Sequence, residues 1–429
     1  MSPSAAVDLS TFSLFDPATQ NCPMPHYEAM RDSAPVFQVP GMPIWLVTTH
    51  DLCLEVIRDW QTYSSNFGAT AMPGSKELAQ RLLAVRNEMG GYPPVSTMLT
   101  ADPPIQTRYR KIVSKAFTPK AIAGLEPIIR EITVRLIDSW IDKGQIEFVS
   151  EFGVPLPVEV IARALNVPDD RLVEFKRWSD DSIAGIGTQL TDDQRVEAER
   201  GIIEMQLFFA EQIEMRRQNP GDDILSNLVT ARIEPDDVDD DGNPLDQREL
   251  EVPEMLSILA QLLVAGNETT TKMLTEMMRL LAENPVEWEK VRNDPKSVRS
   301  VVEETLRLST PTQGMWRIAM RDVTLGGVDI PKGSRMVVMF ASANRDSAVF
   351  EDVNAFCPAR PELGEHLAFG KGTHYCLGAN LSRLEGKVAL EELLKRLSSV
   401  SLPESNTFDY LPSFMLRGLK RLDVAFTPS

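Results

Sequence analysis

Cysteine and histidine are scarce in this chain: 429 residues carry four of each. Cys22, Cys53, Cys357 and Cys376 are too scattered for a disulfide framework, so a reducing cytoplasm is the expected location. Basic residues are also short, 44 Lys and Arg against 62 Asp and Glu, a net charge of −18. That balance argues against nucleic acid and against an anionic membrane surface as partners. No window approaches the ~18 apolar residues of a membrane span, and the opening MSPSAAVDLSTFSLFDPATQ lacks a basic segment followed by an apolar run. Internal repeats and low-complexity segments are missing, and so is a dinucleotide or flavin fingerprint, so any nicotinamide reductant would act from outside. With 43% hydrophobic residues the chain can bury a large core, as one large domain or two packed ones.

What is present concentrates near the C-terminal end, in Phe369-Gly370-Lys371-Gly372-Thr373-His374-Tyr375-Cys376-Leu377-Gly378. Glycines at this density mark a backbone that needs positive φ or close approach. Leu377, Leu381, Leu384 and Val388 then recur at helical spacing, which puts Cys376 at a helix N-terminus. Free N–H groups and the helix dipole stabilise a thiolate there. Such a thiolate serves as nucleophile, redox thiol or metal ligand. With no second cysteine nearby, zinc and thiol-exchange motifs fail on spacing. A single thiolate beneath a large planar cofactor remains, as the axial ligand of a haem.

A second unusual stretch lies in the apolar run that begins at Pro253. Met255, Leu256, Leu259, Leu262 and Leu263 predict a buried helix. Inside it, Ala265-Gly266-Asn267-Glu268-Thr269-Thr270-Thr271 breaks helix propensity at one spot. A Thr269 hydroxyl bonded to the Ala265 carbonyl would open the helix locally. Glu268 is an acid in apolar surroundings, costly unless it has a partner or a task.

The cysteine loop, Phe-Gly-x-Gly-x-His-x-Cys-x-Gly, resembles the haem-binding signature of the cytochrome P450 family. Ala265-Gly266-x-Glu268-Thr269 is similar to that family's oxygen-activation motif. Glu304-x-x-Arg307 and Phe356-x-Pro358-x-Arg360 follow in the family's order. The resemblance covers about residues 35–426, with 1–34 as a lead-in, and implies one domain of P450 fold, mainly α with a smaller β portion. It implies haem b with Cys376 as axial ligand, Phe369 packed over the sulfur, and Gly370, Gly378, Ala265 and Gly266 close to the haem. Arg110, Arg317 and His374 would hold the propionates. The family usually has histidine where this chain has Gln106, which would donate neutrally. Glu268 and Thr269 would relay protons so that the O–O bond breaks heterolytically. Glu304, Arg307 and Arg360 would form a structural network. Met98, Val264, Ala265, Thr312, Met315, Phe414 and Met415 would line the substrate pocket.

The implied activity inserts one atom of O2 into an apolar small molecule: a terpenoid, steroid, fatty acid or aromatic compound. Electrons would come from NAD(P)H through a reductase and an iron–sulfur ferredoxin. A peroxide-driven or isomerising haem-thiolate enzyme and a gas-binding haem protein are the rivals; the Glu268-Thr269 pair disfavours the first. Arg108, Arg110, Lys111, Lys115 and Lys120 cluster in an acidic chain, as either a solvated helix face or a docking patch for an acidic redox partner. His26 and His50 read as surface or capping residues. The acidic run Glu234 to Asp241, ending at Gly242-Asn243-Pro244, reads as a solvated loop because its oxygens do not match an EF-hand.

Overall fold

A computed structural model describes residues 7–67, 75–221, 223–234 and 248–429. The acidic loop after Glu234 and the first part of the irregular region after Phe67 lie outside the described residues. The chain is 56% helical with about 11% strand, a mainly α architecture with a smaller β portion. It divides into two compact units, one of residues 1–63, 125–157 and 268–429, the other of residues 64–124 and 158–267.

The strands used below are β1 (Val36–Gln38), β2 (Ile44–Val47), β3 (Tyr63–Ser64), β4 (Gln145–Glu147), β5 (Met315–Ala319), β6 (Val323–Leu325), β7 (Val328–Ile330), β8 (Arg335–Val338), β9 (Leu397–Ser401) and β10 (Asp423–Pro428). The helices are α1 (His50–Arg58), α2 (Lys76–Met89), α3 (Ile105–Ser114), α4 (Glu126–Asp138), α5 (Pro155–Ala164), α6 (Leu172–Ile183), α7 (Asp192–Gln218), α8 (Val252–Glu283), α9 (Val298–Ser309) and α10 (Ala379–Arg396).

In the first unit a five-stranded sheet runs β1-β2-β8-β5-β3. β8 is parallel to β2, with Val337 opposite Leu46, and antiparallel to β5, with Met336 opposite Arg317. The β-branched and aliphatic content of these strands suits a pleated surface buried on both faces. Val36, Val47, Val56, Met336, Val338 and Leu367 form one core cluster with it. The register fixes Arg317 on a central strand, so its position is set by the sheet rather than by a loop. β6 and β7 make a hairpin across Gly326 and Gly327, both at positive φ, as a two-residue primed turn requires. A second sheet, β9-β10-β4, closes the C-terminus. His50 is a buried residue that opens α1: its backbone N–H donates to Asp346 and its ring pairs with the Glu365 carbonyl at 2.9 Å.

In the second unit the helix ends follow their sequence signals. Ser75 caps α2 by accepting from the Leu78 N–H at 3.0 Å, and Gly90 ends it at φ +74°. Thr191 and Gln194 form a capping box at the start of α7. Asp102, before α3, accepts from the Ser65 N–H at 2.8 Å and from the Ser64 hydroxyl. Arg108 is buried rather than part of a basic surface. It donates to the Tyr109 hydroxyl at 3.0 Å, and that hydroxyl donates to Glu254 at 2.6 Å. Arg248 closes the network on Glu254 at 2.7 and 2.9 Å. Burial pushes the Glu254 carboxyl up, but its bonds from Arg248 and Tyr109 outweigh that and hold it below the usual range. Removing the carboxylate in Glu254→Ala leaves the buried Tyr109 hydroxyl, and the Arg248 guanidinium beside it, without their acceptor. Urea unfolding is expected to show a loss of about 2–4 kcal/mol.

Candidate haem-thiolate site

Cys376 lies between two structural constraints. Upstream, Gly370 and Gly372 adopt φ +64° and +69°, and a Cβ on Gly372 would come within 3.1 Å of the Ile57 carbonyl. Only glycine meets both conditions at low cost. The loop turns back so that the Cys376 N–H donates to the Phe369 carbonyl at 2.9 Å. Downstream, Gly378 is the N-cap of α10, two residues after the cysteine. The sulfur therefore stands just before a helix N-terminus, as its sequence position implies.

Phe369 is held from three sides. The Arg383 guanidinium sits 4.4 Å over its ring, and the rings of His366 and Tyr375 lie 6.0 and 6.5 Å away. Arg383 is fixed in turn by Glu303, at 2.6 and 2.9 Å, and His366 Nε2 reaches the same carboxylate at 3.0 Å. Burial pushes Glu303 up, but hydrogen bonds from His366 and Arg383, with the Arg383 charge, carry it down to about 2. Sequence reasoning missed this support because Glu303 and Arg383 are 80 residues apart.

The Glu304-Arg307 lock is fully buried. Arg307 makes two bonds of 2.7 Å to Glu304 and donates to the carbonyls of Asn344, Val353 and Ala355. Glu304 also accepts from the Cys357 N–H at 2.9 Å, and Arg360 approaches it at 3.5 Å. The three residues expected to form a network do so. Arg317, buried on β5, donates to the Trp316 carbonyl at 2.7 Å. His374 ends a short 3-10 turn over Gly372–His374.

α8 runs as unbroken α-helix from Val252 to Glu283, so the local opening expected at Thr269 is not in its backbone. The stretch differs in exposure instead. Ala265 is exposed and Val264, Gly266 and Thr269 partly so, although Leu262, Leu263, Asn267, Glu268 and Thr270 around them are buried. Gly266 also has a packing role: a Cβ there would stand 2.8 Å from Ile161 of α5. Glu268 is buried and ion-paired at 2.6 Å to Lys272, one turn on along the same helix. Further along α8 and α10, the Thr270 hydroxyl donates to Ser382 at 3.3 Å, which braces the helix that follows the cysteine loop against the Thr269 turn. Glu385, next on α10, is buried, and neither oxygen makes a hydrogen bond of normal geometry. Burial raises it to about 8, offset only in part by the nearby Thr270 hydroxyl, so it is neutral at pH 7.

Thr312, Phe414 and Met415 come together: Thr312 bridges to Leu416, and the Gln313 N–H donates to the Met415 carbonyl at 2.7 Å. Phe414 packs on Trp316, next to Met315, at 6.0 Å. In the second unit Gln106 is buried and Arg110 half-buried on α3, one turn apart, while Met98 and Val264 are half-buried.

These residues fit a haem held by one sulfur. Among the described residues no group of three His, Cys, Asp or Glu side chains could hold a bare metal ion. Apart from its chain neighbours, no atom lies within 4 Å of where a Gly378 Cβ would stand, so the surface beside the cysteine loop can take a flat group. The glycine loop, the buried Glu-x-x-Arg lock and an acid–alcohol pair on a long helix define a haem-thiolate oxygenase.

Comparison with known proteins agrees. The family model for cytochrome P450 matches residues 193–421. The 6-deoxyerythronolide B hydroxylase of Saccharopolyspora erythraea is 34% identical over 401 residues, covering 93% of this chain and 94% of that protein. The structure of cytochrome P450 CYP109Q5 from Chondromyces apiculatus superposes with a TM-score of 0.82 at 33% identity, over 97% and 98% of the two chains. That of CYP109E1 from Bacillus megaterium in complex with testosterone gives 0.80 at 32% identity, over 96% and 99%. The chain belongs to the cytochrome P450 family and is a haem-thiolate monooxygenase. No helix among the described residues is long and apolar enough to cross a membrane.

Two substitutions test the supports. Glu304→Ala strands a buried guanidinium and is expected to cost about 3–5 kcal/mol in chemical denaturation. Glu303 has a folded pKa below its unfolded value, so its contribution is present above pH ~4.5 and is lost as pH falls toward 2. Glu303→Gln should remove roughly 3 kcal/mol of stability near neutrality, with the gap from wild type closing toward pH 2 in a series of urea midpoints.

Proposed function

We propose that this monooxygenase acts on an apolar small molecule of the terpenoid, steroid, fatty acid or aromatic type. Its electrons come from NAD(P)H through a reductase and an iron–sulfur ferredoxin. One substrate C–H bond, O2, two electrons and two protons become one C–OH bond and one water. A haem bound through Cys376 would supply the activation of O2; Arg110, Arg317, His374 and Gln106 are the residues that would hold its propionates, with Phe369 and Gly378 on the sulfur side. The chain's remaining task is to bring two protons to the correct place and to keep bulk water away.

The observation that carries this reading is the buried, ion-paired Glu268 carboxylate adjoining the partly exposed Thr269 on α8. Thr269 Oγ1 can accept and donate a proton at the open face, and Glu268 can resupply it. A gas carrier needs no such pair, and a peroxide-driven enzyme brings its own protons with the oxidant. Thr312, Met315, Phe414 and Met415, close together in the first unit, would supply an apolar wall. Names among the relatives, a hydroxylase of 6-deoxyerythronolide B and a testosterone complex, support a bulky apolar substrate. With Arg108 buried, the exposed Lys111, Lys115 and Lys120 are the part of the basic segment that can meet an acidic ferredoxin.

Dithionite reduction under CO is expected to give the difference spectrum of a thiolate-bound haem, abolished in Cys376→Ala; a histidine-type spectrum unchanged by that substitution would overturn the reading. With electrons supplied from NADPH, Thr269→Ala should lower product formation roughly a hundredfold while oxygen consumption continues as hydrogen peroxide.

A further inference from the structure

α8 carries alternating charge along one face beyond the oxygen-activating turn: Glu268, Lys272, Glu276, Arg279, Glu283. The lower rungs are tied to one another and to the C-terminal segment. Glu276 takes Arg279 at 2.8 Å and the Tyr410 hydroxyl at 2.7 Å, and Arg279 also holds Glu283 at 2.6 Å. Arg417 stacks over the Tyr410 ring at 3.4 Å and donates to the carbonyls of Gln20 and Asn21. Lys272 meets Glu268 directly, with Nζ 2.6 Å from the carboxylate and 3.3 Å from the Glu268 carbonyl.

This pair differs from a surface i,i+4 pair in two ways. First, it is buried: the side chains of Lys272 and Glu268 are 3% and 7% exposed. Two charges removed from water are costly to keep unless geometry and hydrogen bonds compensate. Second, the fold reserves space for the lysine. A Cβ on Gly418 would stand 2.4 Å from Lys272 Cγ, 3.0 Å from Cδ and 3.2 Å from Cε. The lysine stem thus lies along a glycine backbone that no other residue could supply without moving it.

We propose that Lys272 is the positioning residue of the proton relay: its ammonium fixes both the charge and the direction of the Glu268 carboxylate. This rests on the monooxygenase reading of Glu268 and Thr269. A carboxylate in apolar surroundings without a counter-charge takes up a proton and keeps it. A relay acid must instead alternate, accepting from water and giving to Thr269 Oγ1. The ion pair favours the ionised, accepting form of Glu268 and holds its carboxylate in one direction, along the helix toward Lys272.

The test is infrared spectroscopy of the protonated-carboxyl stretch at pH 7 on the full-length ferric protein, with Lys272→Met, Lys272→Arg and Gly418→Ala. Lys272→Met should gain a carboxyl band that disappears when Glu268→Gln is added, and Lys272→Arg should match wild type. Gly418→Ala, which displaces the lysine stem without removing its charge, should show the same band at lower amplitude. As a second readout, the solvent deuterium isotope effect on NADPH-driven oxygen consumption, with a plant-type ferredoxin and its reductase as donors, should at least double in Lys272→Met and stay unchanged in Lys272→Arg. A folded Lys272→Met with the wild-type infrared spectrum, or a new band that survives Glu268→Gln, overturns the assignment. If Lys272→Met does not fold, a folded Gly418→Ala without the band does the same. A wild-type protein lacking the thiolate-haem spectrum would overturn the monooxygenase reading itself, whereas a normal spectrum with an unaltered Lys272→Met overturns only the role of Lys272.

Discussion

Arg307 is a guanidinium with no access to water, and the haem side of the first unit is assembled around it. Glu304 neutralises it through two parallel bonds, a fork-to-fork geometry that lysine could not reproduce. Its remaining donors take the carbonyls of Asn344, Val353 and Ala355, and Glu304 returns a bond to the Cys357 amide. One ion pair therefore satisfies backbone groups at a helix C-cap, Asn344, and along the irregular stretch from Val353 to Cys357. A buried pair of this kind contributes little net stability over an apolar alternative. Its value lies in specifying one path for the chain that leads into the cysteine loop.

The same logic recurs at increasing distance from the sulfur. Phe369 is placed by Arg383, which is placed by Glu303, which also holds His366. Each member is charged or aromatic, and each is oriented by the next. The thiol loop itself has almost no regular structure, so its rigidity comes from glycine conformations and from this chain of contacts rather than from hydrogen-bond ladders. That arrangement suits a ligand whose sulfur must stay in one place while its surroundings remain open to a large planar group.

α8 solves a different problem. This long helix is buried on most sides, keeps its hydrogen-bond pattern unbroken, and carries a buried, compensated charge at Glu268 beside the partly exposed Thr269. Glycine at 266 serves helix packing, since Ile161 occupies the space its Cβ would need. The weakness in helix propensity is thus explained by packing at Gly266, while Glu268 and Thr269 are the pair the proposed function employs.

The sequence by itself determined the family and the mainly helical class, because both are encoded in short contiguous patterns. Glycine spacing, helical periodicity and the Glu-x-x-Arg and Phe-x-Pro-x-Arg pairs are local properties, and they are also what the proposed roles of Cys376, Glu268 and Thr269 rest on. Tertiary structure decided what depends on distant partners. Arg108, which reads as one of five basic residues in this segment, is buried against the Tyr109 hydroxyl, which in turn donates to Glu254, 145 positions further along the chain. Glu303 and Arg383 acquired their role only when α9 and α10 brought them together. Lys272 had a visible i,i+4 relation to Glu268, but spacing alone cannot distinguish a solvated helix pair from a buried one; the fold made that distinction by laying Gly418 against the lysine stem.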